Sequence, residues 1–194
     1  MRTAQLQRKT AETAVEVSLS LDGAGQALID TGIGFFDHML HQVARHGLFD
    51  MTIKCKGDLN VDAHHTVEDV GITFGKAFTA ALGDKAGIAR YGTAITPMDD
   101  ALTLVALDLS GRPYLGFDVA IPAPSVGQFD TELVEEFFRA FANHAQATIH
   151  IRLLAGSNSH HIIESVFKGF GRALDQATCR DHRILGVPST KKTL

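Results

Sequence analysis

The sequence repeats itself. His64–Leu82, HHTVEDVGITFGKAFTAAL, lies on His160–Thr178, HHIIESVFKGFGRALDQAT, without a gap, and 8 of 19 positions are identical. Unrelated segments of average composition would share about one. After a two-residue adjustment the match runs upstream, with FFDHMLHQVARHGLFDMTI from Phe35 on LVEEFFRAFANHAQATIHI from Leu133. His46 then stands opposite His144, Ile53 opposite Ile151, and His38 opposite Glu136. Farther back, LDG at Leu21–Gly23 falls on LSG at Leu109–Gly111, which sets Glu12 opposite Asp100. A repeat of this length restricts the chain to folds made of two like units. The units run over about 1–90 and 91–180, with a tail at 181–194.

Each half carries the same local signals. Val15, Val17, Leu19 and Leu21 alternate with Glu16, Ser18 and Ser20, the period of a half-buried strand. ALTLVALDL at Ala101–Leu109 is the partner segment. Helices are expected over Phe35–His46 and Thr131–His144, with Asp130 and Thr131 as candidate N-caps of the second. Strands FDMTIKC and ATIHIRLL follow. Second helices begin near each HH pair and end near Gly83 and Cys179. This order predicts an α+β fold of two similar halves, each a sheet with helices on one face. Halves of about 90 residues bury little core alone, so they are expected to pack as one domain.

Composition narrows the function classes. A net charge of −4 argues against a nucleic-acid partner. No apolar run approaches the roughly 20 residues that span a bilayer, and the N-terminus lacks a signal-peptide apolar stretch. No membrane partner and a cytoplasmic location are the expectation. Cys55 and Cys179 fit no disulfide or zinc spacing and read as buried or half-buried thiols.

The histidines carry the chemistry. On a helix His64 and Glu68 share a face, whereas His65 lies about 100° around from His64. Adjacent histidines therefore serve one metal poorly and two metals well. His38, His64, His65, Glu68, Glu136, His160, His161 and Glu164 make eight donors, four for each of two ions. Imidazole with carboxylate and no thiolate points to manganese, iron or zinc. Four protein ligands on an octahedral ion leave two places for substrate or water. His41, His46, His144, His150 and His182 stand outside the HHxxE pattern and read as structural. Basic residues form a second constellation: Arg90, Arg112, Lys168, and the tail VPSTKKTL with Ser189, Lys191 and Lys192. A folded-over Ser/Thr/Lys tail can grip phosphate by charge-assisted hydrogen bonds.

FFDHMLHQVARHGLFD, DAHHTVEDVGI, LSGRPYLGF and GSNSHHIIESVFKGFGRAL together resemble the imidazoleglycerol-phosphate dehydratases. The likeness covers essentially the whole chain, and the monofunctional form, without an attached phosphatase domain, is the expectation. It implies two similar halves, each a four-stranded sheet with two helices, the helices packed between the sheets. It implies dehydration of D-erythro-imidazole-glycerol phosphate to imidazole-acetol phosphate in histidine biosynthesis, through a metal-bound imidazolate and a diazafulvene-like intermediate. It implies two Mn²⁺ per active site, with Fe²⁺ or Zn²⁺ less favoured, and a homo-24-mer whose sites are shared between subunits.

By position, His38, His64, His65, Glu68, His160, His161 and Glu164 match the family's metal ligands. Glu136 departs from it, standing where many members have histidine. Glu12 matches the acid/base candidate. Gln42, Arg90, Arg112, Lys168, Ser189 and Lys191 match phosphate-binding positions. A dinuclear metallohydrolase of a phosphorylated small molecule is the competing enzyme reading, and a metal-storage or metal-sensing oligomer the non-enzyme one.

Overall fold

A computed structural model describes residues 1–191 and 193–194; Lys192 of the tail lies outside the described residues. The first half runs β1 (Thr3–Lys9), β2 (Thr13–Ser20), β3 (Ala27–Asp30), α1 (Gly34–Gly47), β4 (Asp50–Gly57) and α2 (His64–Leu82). The second runs β5 (Tyr91–Met98), β6 (Ala101–Asp108), β7 (Tyr114–Asp118), the short β8 (Ser125–Val126) and β9 (Phe129–Asp130), then α3 (Leu133–Ala145), β10 (Thr148–Ala155) and α4 (Ser159–Thr178). Two four-stranded sheets result, ordered β1-β2-β4-β3 and β5-β6-β10-β7. The duplication extends to register: Val17 pairs with Ile53, and its counterpart Val105 pairs with Ile151. Even the helix ends agree, since Leu48 after α1 and Gln146 after α3 both take the left-handed conformation, at φ 55° and 51°.

The alternation read in the sequence sets the layers. Val15, Val17 and Leu19 of β2 are buried while Glu16 and Ser18 face out. Val105, Leu107, Ile149 and Ile151 do the same in the second sheet. Between the two inner faces lie the helices. α2 packs on β1 and β2, and α4 on β5 and β6. One core joins both sheets, rich in phenylalanine: Phe137, Phe138 and Phe141 of α3 meet Phe167 and Phe170 of α4 at 5.0–5.3 Å between ring centroids. Each buried phenylalanine contributes about 1.5–3 kcal/mol.

The helices pair across the halves. α1 packs against α4, and α2 against α3. Two glycines shared by the repeats permit this. A Cβ on Gly171 would lie 2.7 Å from the Val43 carbonyl oxygen, and one on Gly75 would lie 2.9 Å from that of Phe141. Val43 and Phe141 are themselves equivalent in the repeat, so the same glycine-to-carbonyl contact is made twice. Crossing of the halves brings the α1 histidine to the HHxxE segment of the other half.

Some local expectations are corrected. α3 starts at Leu133 rather than Thr131, and its N-cap, Glu132, makes no side-chain capping bond. The Thr131 hydroxyl instead donates to the carbonyls of Ala123 and Pro124, and so ties down the β8–β9 hairpin, and Asp130 lies in β9. Cys179 is exposed, because α4 ends at Thr178 and leaves it on the surface, while Cys55 is half-buried.

Candidate metal and substrate site

α4 begins with a capped turn. The Asn158 side chain accepts from the His161 backbone N–H, satisfying one of the donors a helix start leaves open. This fixes His160 and Glu164 one turn apart on one face. His160 Nε2 lies 3.1 Å from Glu164 Oε2. From α1, His38 Nε2 reaches the same oxygen at 3.5 Å. His38, His160 and Glu164 offer ligand atoms that all lie within 4.8 Å of one another. The edge of Phe35 packs on the His160 ring at a centroid distance of 5.2 Å and limits its rotation. Two imidazoles and one carboxylate, drawn from both halves, make a donor set suited to a borderline or hard divalent cation.

Lys168 and Gln42 border this trio. Lys168 Nζ lies 2.8 Å from Glu164 Oε1, and Gln42 Nε2 lies 3.4 Å from His38 Nδ1. Burial pushes the Glu164 carboxyl up, but the Lys168 ammonium, with His38 and His160 beside it, outweighs burial and holds it below the ordinary value. Glu164, only 6% exposed, is thus kept as an anion ready for a cation. His46 approaches the same region from α1. Burial lowers its pKa first, and Lys168 and Arg172 lower it further. His144 spends Nδ1 on the Ala140 carbonyl at 2.9 Å.

The second histidine of each pair has other partners. The rings of His160 and His161 stand 6.2 Å apart at 77°, and those of His64 and His65 6.2 Å apart at 88°. His65 Nδ1 lies 3.0 Å from Asp58, with Nε2 3.7 Å from Glu12. The Asp58 hydrogen bond is the main reason its pKa is raised. His161 Nδ1 lies 2.7 Å from Asp100, with Nε2 3.6 Å from Asp99. Asp100 is held well below the usual carboxylate range, first by the Ser157 backbone N–H and then by His161. Asp58 and Asp99 had no signal in the sequence. Asp100 had one, since it stands opposite Glu12 in the repeat.

The mirror trio is not drawn as close. Among the described residues, Glu136, His64 and Glu68 do not form a second group of donors within 4.8 Å. His64 is exposed, and Glu68 and Glu136 are half-buried. α2 also starts differently from α4. Its N-cap is Ala63, without a side-chain bond, and His64 is its first residue.

The basic residues divide in two. Arg90, Arg112, Ser189 and Lys191 line one cleft of about 710 Å³, closed on one side by the tail. Arg90 is clamped there by Asp108, at 2.7 and 3.0 Å, and by the Pro188 carbonyl at 2.8 Å. Three of its five N–H groups are spent, and two remain for an anion. Lys168 and Gln42 belong instead with the histidine trio.

The sequence pattern of imidazoleglycerol-phosphate dehydratase matches residues 31–174. The imidazoleglycerol-phosphate dehydratase of Acetivibrio thermocellus is 59% identical over 193 residues, covering 100% of this chain and 99% of its own. That of Acidithiobacillus ferrooxidans is 58% identical over 194 residues, with 100% and 98% covered. The crystal structure of the Staphylococcus aureus enzyme superposes with a TM-score of 0.84 at 42% identity, covering 92% of this chain and 99% of that one. The Pyrococcus furiosus structure, a complex with (S)-C348, superposes with a TM-score of 0.85 at 41% identity, covering 97% and 100%. With its doubled HHxxE helices and matching fold, the chain belongs to the imidazoleglycerol-phosphate dehydratase family.

Proposed function

We propose that this protein is a metal-dependent hydro-lyase that converts D-erythro-imidazole-glycerol phosphate to imidazole-acetol phosphate in histidine biosynthesis. Family membership supports the dehydration and the small-molecule substrate. The observation that carries the metal part is the meeting of His38, His160 and Glu164 from two halves of the chain. We read the cofactor as two Mn²⁺ per active site. His38, His160 and Glu164 would hold one ion, and Glu136, His64 and Glu68, their repeat counterparts, the other. When bound, the ions supply Lewis acidity and a template for the substrate's imidazole.

The chain's own groups account for the rest. The hydroxyl leaves from the carbon attached to the imidazole ring, and the proton is lost from the next carbon, which no carbonyl flanks and which is barely acidic, so a positioned base is needed. Glu12, at the β1–β2 turn and 53% exposed, is that base, taking the proton at a carboxylate oxygen. Arg90, Arg112, Ser189 and Lys191 bind the phosphate in the tail cleft. Lys168 keeps Glu164 ionised, and Gln42 orients His38. Both pseudo-repeats and the tail at 181–194 act as one catalytic domain.

Self-association completes the site in this reading, with His65 and His161 serving neighbouring copies in a homo-24-mer. The outer face of the second sheet supports it, for Tyr91, Ile95, Tyr114 and Leu154 are each about half exposed or more there. The test is an assay with imidazole-glycerol phosphate after reconstitution with Mn²⁺. An enolisable ketone product with phosphate retained is expected. Released inorganic phosphate would indicate a hydrolase, and no turnover would refute the assignment.

A further inference from the structure

We propose that Asp58 and Asp100 are positioning residues: each accepts the Nδ1 hydrogen of its histidine, His65 or His161, and leaves Nε2 as the free ligand atom. This rests on the reading of His65 and His161 as metal ligands. The contacts are Asp58 Oδ2 and Oδ1 at 3.0 and 3.2 Å from His65 Nδ1, and Asp100 Oδ1 at 2.7 Å from His161 Nδ1. An ionised carboxylate only accepts, so Nδ1 must carry the hydrogen, and in a neutral ring Nε2 then holds the lone pair. On the Nε2 side stand Glu12 and Asp99, at 3.7 and 3.6 Å, too far to hydrogen-bond. Both rings therefore present the same geometry, Nδ1 tied and Nε2 available. Carboxylates that fix a ligating histidine in this way typically govern metal affinity by about 10–100-fold.

The two halves reach this state by different routes, and the difference bears on Glu12. Asp100 is the repeat counterpart of Glu12, at the equivalent hairpin turn. In the second half that turn carboxylate is spent entirely on orientation. Its Oδ2 accepts from the backbone N–H of Ser157 at 2.7 Å and of Asn158 at 3.0 Å, and from the Ser157 hydroxyl at 3.2 Å. In the first half Asp58, from the loop between β4 and α2, takes over the ring. Glu12 is thereby released: its carboxylate accepts no hydrogen bond in range from His65. One repeat position has become an anchor in one half and a reactive group in the other.

The anchoring differs enough to give opposite responses to one substitution. In Asp100→Asn the single amide oxygen stays with the Ser157 and Asn158 N–H groups. Its NH₂ then faces His161 Nδ1 and forces the ring hydrogen onto Nε2, the wrong tautomer. The Asp58 oxygens have no other side-chain or backbone donor among the described hydrogen bonds, so the amide of Asp58→Asn can turn its oxygen to Nδ1 and keep the tautomer. Asp58→Ala cannot.

The experiment is a Mn²⁺ titration of the metal-free protein, read from the electron paramagnetic resonance of free Mn²⁺. Asp100→Asn and Asp58→Ala should each weaken binding about 10–100-fold, and Asp58→Asn less than about threefold. Controls are His65→Ala and His161→Ala. If those lose Mn²⁺ while Asp100→Asn and Asp58→Ala titrate like wild type, the ligands stand and the positioning proposal falls. If the histidine variants also bind normally, the ligand reading falls with it. Because Asp100 also anchors the loop before α4, a second readout needs no variant. The ring ¹⁵N shifts of metal-free wild type at alkaline pH should show His65 and His161 protonated on Nδ1, and protonation on Nε2 would overturn the proposal.

Discussion

Gly171→Ala probes how the two halves are held together. The new Cβ would lie 2.7 Å from the Val43 carbonyl oxygen, 3.1 Å from the Gly47 nitrogen and 3.2 Å from the Val43 Cα. All three are backbone atoms of α1, so no side-chain rotation relieves them. Ordinary contact begins at 3.4 Å, so α1 and α4 must separate by about 0.7 Å at this point. Such overpacking costs about 1–3 kcal/mol, against which alanine returns up to about 1 kcal/mol of helix propensity. The net loss is up to about 2 kcal/mol, or up to about 8 °C in melting temperature for a chain of this size. His38 lies on α1 about 7.5 Å along the axis from Val43, and Glu164 on α4, so the separation reaches the donor trio. Metal–ligand distances tolerate only about 0.2 Å, so Mn²⁺ affinity should fall about tenfold. Thermal melts of the metal-free protein and Mn²⁺ titrations measure the two effects. Gly169→Ala is the control, because its Cβ would meet the side chains of Thr96 and Val105, which can yield. A Gly171→Ala protein that melts at or above wild type, with unchanged Mn²⁺ affinity, would refute the cross-half packing argument.

Lys168→Met removes the counter-charge of a nearly buried carboxylate and should cost about 3 kcal/mol at neutral pH, read from denaturant midpoints. Glu164's folded pKa is depressed, so its stabilisation is full above the ordinary carboxylate value and fades as pH falls through the depressed one. The gap between wild type and Lys168→Met should therefore close in acid. Arg8→Ala strands Asp69, which is 4% exposed and takes hydrogen bonds from Arg8 and Thr13, and should destabilise more than Asp69→Ser, since Arg8 can reach water. The second half has Ser165 at the Asp69 position, bonded to Thr103 and the Thr96 carbonyl, so serine is tolerated there by the fold. Glu12→Gln should bind substrate yet lower kcat by about 10²–10⁴-fold, measured in the ketone assay, while near-normal turnover would remove Glu12 from proton transfer. Arg112→Ala should raise KM with a smaller effect on kcat, as expected for a phosphate contact outside the reacting centre.

Much of this was legible in the sequence, for identifiable reasons. Strand alternation at Val15–Leu21 and Ala101–Leu109 reports burial directly, and the structure follows it. The identical Gly75 and Gly171 were visible as a match, but their meaning was not. A repeat alignment says which helices are alike, not which ones touch, so the α1–α4 and α2–α3 pairing had to come from the fold. Thr131 looked like a cap because hydroxyl residues favour that role, yet tertiary partners at Ala123 and Pro124 outcompeted the helix end. Asp100 could be found through Glu12, whereas Asp58 has no repeat counterpart and only geometry reveals it. Arg90 and Lys168 looked alike as basic residues, but one is clamped in the tail cleft and the other faces Glu164.

The central claim is that donors from both halves bind the metals that serve the reaction. Anomalous diffraction at the manganese edge, on crystals grown with Mn²⁺, tests it most directly. Two peaks per chain are predicted, one of them bound by His38, His160 and Glu164 together. A single peak, or ions held by one HHxxE segment with His38 unligated, would contradict the account.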